Sequence, residues 1–178
     1  MLIGTHVRLR ALERDDVPTF VRWFNDPEVR RHLAWFEPMS RAREERWFET
    51  EYLVAKDKFV FAIEARIDEA WLLVGNSSLE DISWKNRSAG LGIVLGEKEH
   101  WGRGYGTEAV RVLLRFAFGE LALNRVELTV LADNARAQRC YEKAGFRREG
   151  TRRAAIFRDG RYHDLHLMGI LASEFALD

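Results

Sequence analysis

Between Ala89 and Thr107 the chain reads Ala-Gly-Leu-Gly-Ile-Val-Leu-Gly-Glu-Lys-Glu-His-Trp-Gly-Arg-Gly-Tyr-Gly-Thr. Gly102, Gly104 and Gly106 alternate there with Arg103 and Tyr105, and glycines at such spacing let backbone take positive φ and let a ligand approach with no Cβ in the way. After them, apolar residues at Ala109, Val110, Leu113, Leu114, Phe116 and Ala117 have the period of an amphipathic helix. Before them, Leu91 to Leu95 is an apolar run too short for a helix, which predicts a buried strand. The unit is therefore strand, glycine turn, helix. First-turn N–H groups without intrahelical partners point at whatever sits on the helix end, and a phosphate or pyrophosphate suits that place.

The kind of phosphate ligand is narrowed by what the turn lacks. A P-loop needs Gly-x-x-x-x-Gly-Lys-Ser/Thr, and no Lys follows Gly102, Gly104 or Gly106. A dinucleotide fold needs a third glycine where Thr107 stands, and an acid about 20 residues on; Glu127, the only candidate, lies inside an apolar run. A second constellation sits further along. Asn134, Ala137 and Tyr141 are offset by three and seven, so they share one helix face, and Gly145-Phe146 follows them.

The run Trp101-Gly102-Arg103-Gly104-Tyr105-Gly106-Thr107 resembles the acetyl-CoA motif of the GNAT N-acetyltransferase superfamily, Gln/Arg-x-x-Gly-x-Gly/Ala, with Trp101 in the Gln/Arg position. Asn134, Ala137, Tyr141, Gly145 and Phe146 match that family's second motif, Asn-x-x-Ala-x-x-x-Tyr-x-x-x-Gly-Phe. With Val7 to Arg10, Trp23 to Val29 and Arg158 to Asp164, the resemblance spans nearly the whole chain, as one domain over residues 7–172, and is strongest to the branch of ribosomal-protein N-terminal acetyltransferases.

The resemblance implies acetyl-CoA as cosubstrate and a primary amine as acceptor, on a protein N-terminus or a small molecule. It puts the diphosphate on Trp101, Gly102, Arg103, Gly104, Tyr105, Gly106 and Thr107, and the pantetheine arm on the edge of Ile93, Val94 and Leu95, by strand addition. A backbone N–H near Val94 or Leu95 would polarise the thioester carbonyl. Asn134, Ala137 and Lys143 would touch the cofactor, and Tyr141 would protonate the departing thiolate. Trp35, Trp84, Tyr162 and His163 would meet the acceptor. For the base, relatives often carry Ala-Glu where this chain has Ala89-Gly90, which leaves Glu80 and Asp81, behind them His163 and Asp164, and water. A non-catalytic acyl-CoA sensor is the reading that a missing base would favour.

The totals fit an enzyme of this kind without choosing its substrate. Lys and Arg together number 28 and so do Asp and Glu, so charge advertises neither a nucleic-acid surface nor an anionic membrane. The one cysteine, Cys140, cannot close an internal disulfide. The five histidines make no metal cluster, and no apolar run is long enough for a span or a leader, so the expectation is a soluble cytoplasmic protein without a metal; pairing as a homodimer is what the resemblance implies.

The elements that must position these residues follow from pattern. Val7 to Leu12 alternates as a strand, Asp15-Asp16 with Pro18 opens a helix that stops near Asn25-Asp26-Pro27, a short helix runs from Pro27 to about Leu33, and Ser40 opens a third to about Ala55. Phe59–Arg66 and Trp71–Leu79 predict a hairpin with Gly75 at a bulge, and Ser88–Leu95 completes a meander. Strand, helix to about Phe118, then strand Arg125–Val130 imply a right-handed parallel crossover. A helix from Asn134 to Ala144 and a hairpin turning at Asp159-Gly160 finish the chain. The fold class is α+β: a mixed, mostly antiparallel sheet with one parallel βαβ crossover and helices on both faces.

Overall fold

A computed structural model describes residues 1–33 and 35–176. The chain begins with β1 (Leu2–Ile3), β2 (Val7–Ala11), α1 (Val17–Asn25), α2 (Pro27–Arg30) and α3 (Arg41–Trp47). The meander β3 (Phe59–Ile67), β4 (Ala70–Ser83) and β5 (Ser88–Leu95) follows, then α4 (Tyr105–Arg115), β6 (Arg125–Leu131), α5 (Ala135–Lys143), β7 (Arg147–Arg158) and β8 (Arg161–Leu171). All eight strands form one sheet in the order β1-β2-β3-β4-β5-β6-β8-β7, with β5 and β6 parallel and the other neighbours antiparallel.

Local chemistry sets the element ends. Asp26 accepts from the N–H groups of Glu28 and Val29 ahead of Pro27, and Ser40 accepts from Arg43 N–H, so both short helices are capped by side-chain oxygens. The β3–β4 turn is Asp68-Glu69 and the β7–β8 turn Asp159-Gly160, each with both residues at positive φ, as the twist of a two-residue hairpin requires. The β3–β4 bulge falls at Val74, beside Gly75, where a Cβ would lie 2.2 Å from the Val94 carbonyl. Three helices differ from expectation in extent. The one starting at Pro27 ends at Arg30, and those expected to reach Ala55 and Phe118 pass into looser turns at Phe48–Tyr52 and Phe116–Glu120.

Each face of the sheet carries helices and its own core. On one face α4 buries Ala109, Val110, Val112, Leu113 and Leu114 against Val7, Leu9, Ile63, Val74, Leu79 and Leu91. On the other, Phe20 and Trp23 of α1, with Val29 and Phe48, cover Val60 and Ala62. Glu108 fixes the start of α4, accepting from the N–H groups of His6 (2.7 Å) and Val7 (3.2 Å).

The feature that matters for function is where pairing stops. Strands β5 and β6 pair only from Ser88↔Arg125 to Gly90↔Glu127. Beyond that, Leu91–Leu95 stays with β4 while Leu128–Leu131 stays with β8. The two parallel strands part in the middle of the sheet, and a cleft opens between them.

Candidate active site

Backbone direction along β5 decides what the cleft can bind. Gly96 N–H donates to the Val74 carbonyl at 2.9 Å, so Gly96 faces β4. The polar groups of a strand alternate sides residue by residue, which turns Val94 toward β4 and Ile93 and Leu95 toward the cleft. The Trp101 indole N–H donates to the Leu95 carbonyl at 2.8 Å, which occupies that acceptor and ties the glycine turn to the end of β5. The Leu95 N–H is thus the donor that β5 presents at its open end.

The turn itself is open. Gly102 (φ 78°) and Gly104 (φ 89°) adopt the left-handed region, and a Cβ at either would meet nothing within 4 Å. Glu108 N–H donates to Gly104 at 3.1 Å as the first bond of α4, which leaves the N–H groups of Tyr105, Gly106 and Thr107 without intrahelical partners. The Trp101 N–H is already spent on the Lys98 carbonyl at 3.0 Å, so the diphosphate assignment holds no free donor there. Arg103 and Tyr105 are not among the residues that line the cleft.

Helix α5 forms the far wall. Asn134 is its N-cap and accepts from the Ala137 N–H at 3.1 Å. Tyr141 lines the cleft with 7% of its surface exposed, its ring edge-on to Phe146 at 5.9 Å, and burial raises its hydroxyl above the usual value near 10. Cys140 beside it is a largely buried thiol raised by burial and hydrogen-bonded to Thr107, which suits a packing residue. Arg136 lies over the Trp101 ring at 3.5 Å, and Arg139 and Lys143 add positive charge along the same wall.

The cleft encloses about 440 Å³ and is closed at its other end by Val29, His32 and Leu33 after α1, and by Ile156, Arg158 and Leu165 of the last hairpin. Arg158 donates to the carbonyls of Arg31 and Leu33, strapping the hairpin to that segment. Among the described residues no Asp or Glu lines this cleft, and no group of three or more His, Cys, Asp or Glu could hold a metal ion.

Several sequence-derived candidates lie elsewhere. Glu80 takes the Ser78 hydroxyl at 2.5 Å, faces Lys58 at 3.6 Å and lines a separate cavity of about 1030 Å³ under α3, with Trp35 in its wall. Asp81 is exposed at a bulge with φ 50°. Trp84 is exposed in the β4–β5 loop, and Tyr162 packs at a tilt against Phe157 at the hairpin tip. His163 does not line the cleft; its Nδ1 is 3.2 Å from Asp133, just behind the wall. That end of the cleft is formed instead by residues that spacing did not single out, although Val29, His32 and Leu33 sit at three- and four-residue offsets and Ile156 and Arg158 share one strand face.

Residues 6–147 match the acetyltransferase (GNAT) domain family. The chain belongs to that family. A spermidine N(1)-acetyltransferase from Vibrio cholerae is 29% identical over 174 residues, covering 97% of each chain. Its crystal structure with CoA and spermine superposes at a TM-score of 0.86, covering 96% of this chain and 98% of that one, and the same enzyme is also solved as a dodecamer. A Bacillus subtilis protein provisionally named a ribosomal N-acetyltransferase is 30% identical over 179 residues, covering 97% of this chain and 95% of its own. The GNAT chain described above is an acyltransferase: it carries the acetyl group of acetyl-CoA to an amine. Among its described residues no helix is long and apolar enough to cross a membrane.

Proposed function

We propose that the cleft between β5 and β6 holds acetyl-CoA along its length, and that the acceptor amine enters at the end closed by His32, Leu33, Ile156 and Arg158. The N–H groups of Gly102 to Thr107 take the diphosphate, where the helix end is most positive. The arm pairs with Ile93 and Leu95, the Leu95 N–H polarises the carbonyl, and Tyr141 protonates sulfur as the amine attacks the thioester directly.

The observation that carries the acceptor class is the absence of Asp and Glu from the cleft's described lining, alongside Arg136, Arg139, Lys143 and Arg158. At the acceptor end a polyamine would bring several charges next to Arg158 with no carboxylate among the described lining residues to meet them, at a cost that grows as water is excluded. A single amine beside an apolar or anionic group avoids that cost. The acceptor is therefore the α-amine of a peptide or amino-acid derivative, in keeping with the ribosomal-protein N-terminal branch and unlike the spermidine enzyme. An α-amine, with a pKa of about 8, is also easier to deprotonate than an alkyl amine at about 10.4.

Thiol release from acetyl-CoA, measured with spermidine, leucine amide and short peptides, tests this. The peptides and leucine amide should react at least tenfold faster in kcat/KM; faster reaction of spermidine would reject the acceptor class. A saturating acetyl-CoA concentration that leaves the thermal midpoint unmoved would reject the site, since a ligand at 100 times its Kd adds about 2.7 kcal/mol. Self-association, as a homodimer at least, belongs to the same reading and is read by light scattering.

A further inference from the structure

We propose that His32 is the catalytic base that takes the proton of the acceptor amine, with Asp133 and His163 as its positioning residues. The assignment rests on the cleft being the place of acetyl transfer.

Elimination brings His32 forward. The other ionisable side chains lining the cleft are the cations Arg136, Arg139, Lys143 and Arg158, the buried thiol of Cys140 and the phenol of Tyr141. None is a free base near neutral pH. His32 is the one imidazole among the described lining residues, and it sits at the acceptor end.

The surroundings hold the ring in a usable state. Arg158 binds the carbonyls on either side of it, those of Arg31 and Leu33, so the backbone that carries the ring is pinned to the hairpin. His32 Nδ1 is buried and has no hydrogen-bond partner among the described residues; Asp133 Oδ1 is 3.9 Å away. The other carboxylate oxygen is committed: Asp133 Oδ2 lies 3.2 Å from His163 Nδ1, and Arg161 Nε donates to His163 Nε2 at 3.3 Å. That donation leaves the His163 proton on Nδ1, aimed at Asp133. Asp133 is thereby oriented with one oxygen toward His32. An approach of about 1 Å completes an Nδ1–H···Oδ1 bond, which leaves His32 Nε2 with a free lone pair.

The charges facing His32 favour the neutral ring. Burial lowers its pKa first, Asp133 opposes this, and Arg31, Arg136 and Arg158 lower it further. A neutral ring accepts a proton from the arriving ammonium and gives it up to water quickly. In the full step, one ammonium proton passes to His32 Nε2 and on to solvent. The amine lone pair then forms the N–C bond, the C–S bond breaks with its electron pair on sulfur, and the second nitrogen proton ends on that sulfur by way of Tyr141.

Two measurements on the full chain decide the matter. The first is ¹⁵N NMR of histidine-labelled protein at pH 7.5, with His32→Gln used to assign the signal. It should show the proton on Nδ1 and a bare Nε2; a protonated Nε2 would overturn the proposal whatever the acceptor. The second is turnover with leucine amide. His32→Gln should lower kcat/KM about 100-fold, with acetyl-CoA affinity and thermal midpoint unchanged, and with a rate that climbs steadily with pH as hydroxide replaces the base. Added imidazole should restore part of the rate to His32→Gly. Retention of kcat/KM within about threefold, with the wild-type pH profile, would sink the proposal. If wild-type protein acetylates no amine, the proposed function falls, while the NMR result still decides the state of His32.

Discussion

The indole of Trp101 and the carbonyl of Leu95 are joined at 2.8 Å, so a side chain from the glycine turn closes the last polar group of β5 that faces the cleft. Arg136 of α5 covers the same indole at 3.5 Å. One aromatic residue thus links three elements that wall the cleft. Trp101→Phe keeps much of the stacking but strips the donor, leaving a partly buried carbonyl unpaired at a cost of about 1–3 kcal/mol. Much of that cost falls on the cleft's geometry. The acetyl-CoA Kd, measured calorimetrically, should rise about tenfold, while kcat at saturating cofactor changes less than threefold.

Tyr141 is held as a neutral phenol. Burial raises its hydroxyl above the ordinary tyrosine value, so through the usual assay range it keeps the proton that a leaving thiolate needs. Tyr141→Phe removes one oxygen and leaves the edge-on contact with Phe146 in place. The expected result is a fall in kcat of about 100-fold or more with cofactor Kd unchanged within twofold. Loss of affinity at unchanged kcat would make Tyr141 a packing residue.

The fold, and the glycine turn and α5 face that wall the cleft, were legible because they are written in local pattern. Alternating glycines, an amphipathic repeat and an Asn-Ala-Tyr helix face each act over a few residues, and the two-residue turns at Asp68-Glu69 and Asp159-Gly160 announce their hairpins. The acceptor half was not legible, because His32, Ile156 and Arg158 meet only when β8 inserts beside β6 and leaves β7 outermost, a pairing no short stretch encodes. Glu80 illustrates the limit from the other side. The strand was expected to end at Leu79, but β4 runs on to Ser83 and turns Glu80 to the α3 face, where Ser78 and Lys58 hold it. The Trp101 N–H was misjudged for a similar reason, since a short turn through Lys98–His100 consumes it.

The glycine turn separates strain from ligand exclusion. At Gly104 the backbone is left-handed, yet the space a Cβ would enter is empty within 4 Å. Gly104→Ala should therefore cost the free protein only about 1 kcal/mol, the strain of φ 89°. Acetyl-CoA affinity should fall by a much larger factor, at least tenfold, because the methyl points where the diphosphate must lie against bare N–H groups. Denaturant melts with and without cofactor give both numbers, and a variant that binds as tightly as wild type would move the diphosphate away from this turn.

Glu44 predicts how stability responds to pH. Its carboxyl is 4% exposed against the α3 cavity, and burial pushes it up to about 7, with Arg43 opposing only weakly. The unfolded chain gives this group its ordinary value near 4.5. A folded pKa above the unfolded one means the native state binds more protons between the two. Stability from this group is therefore full below about 4.5, declines as pH rises toward 7 and stays low above it. The full shift corresponds to at most about 3 kcal/mol. Glu44→Gln removes the titration, so above pH 7 the variant should be more stable than wild type by that amount, and below pH 5 the two should converge. Urea melts at pH 5, 6, 7 and 8 check this; parallel stability curves for the two proteins would show that the Glu44 carboxyl is solvated after all.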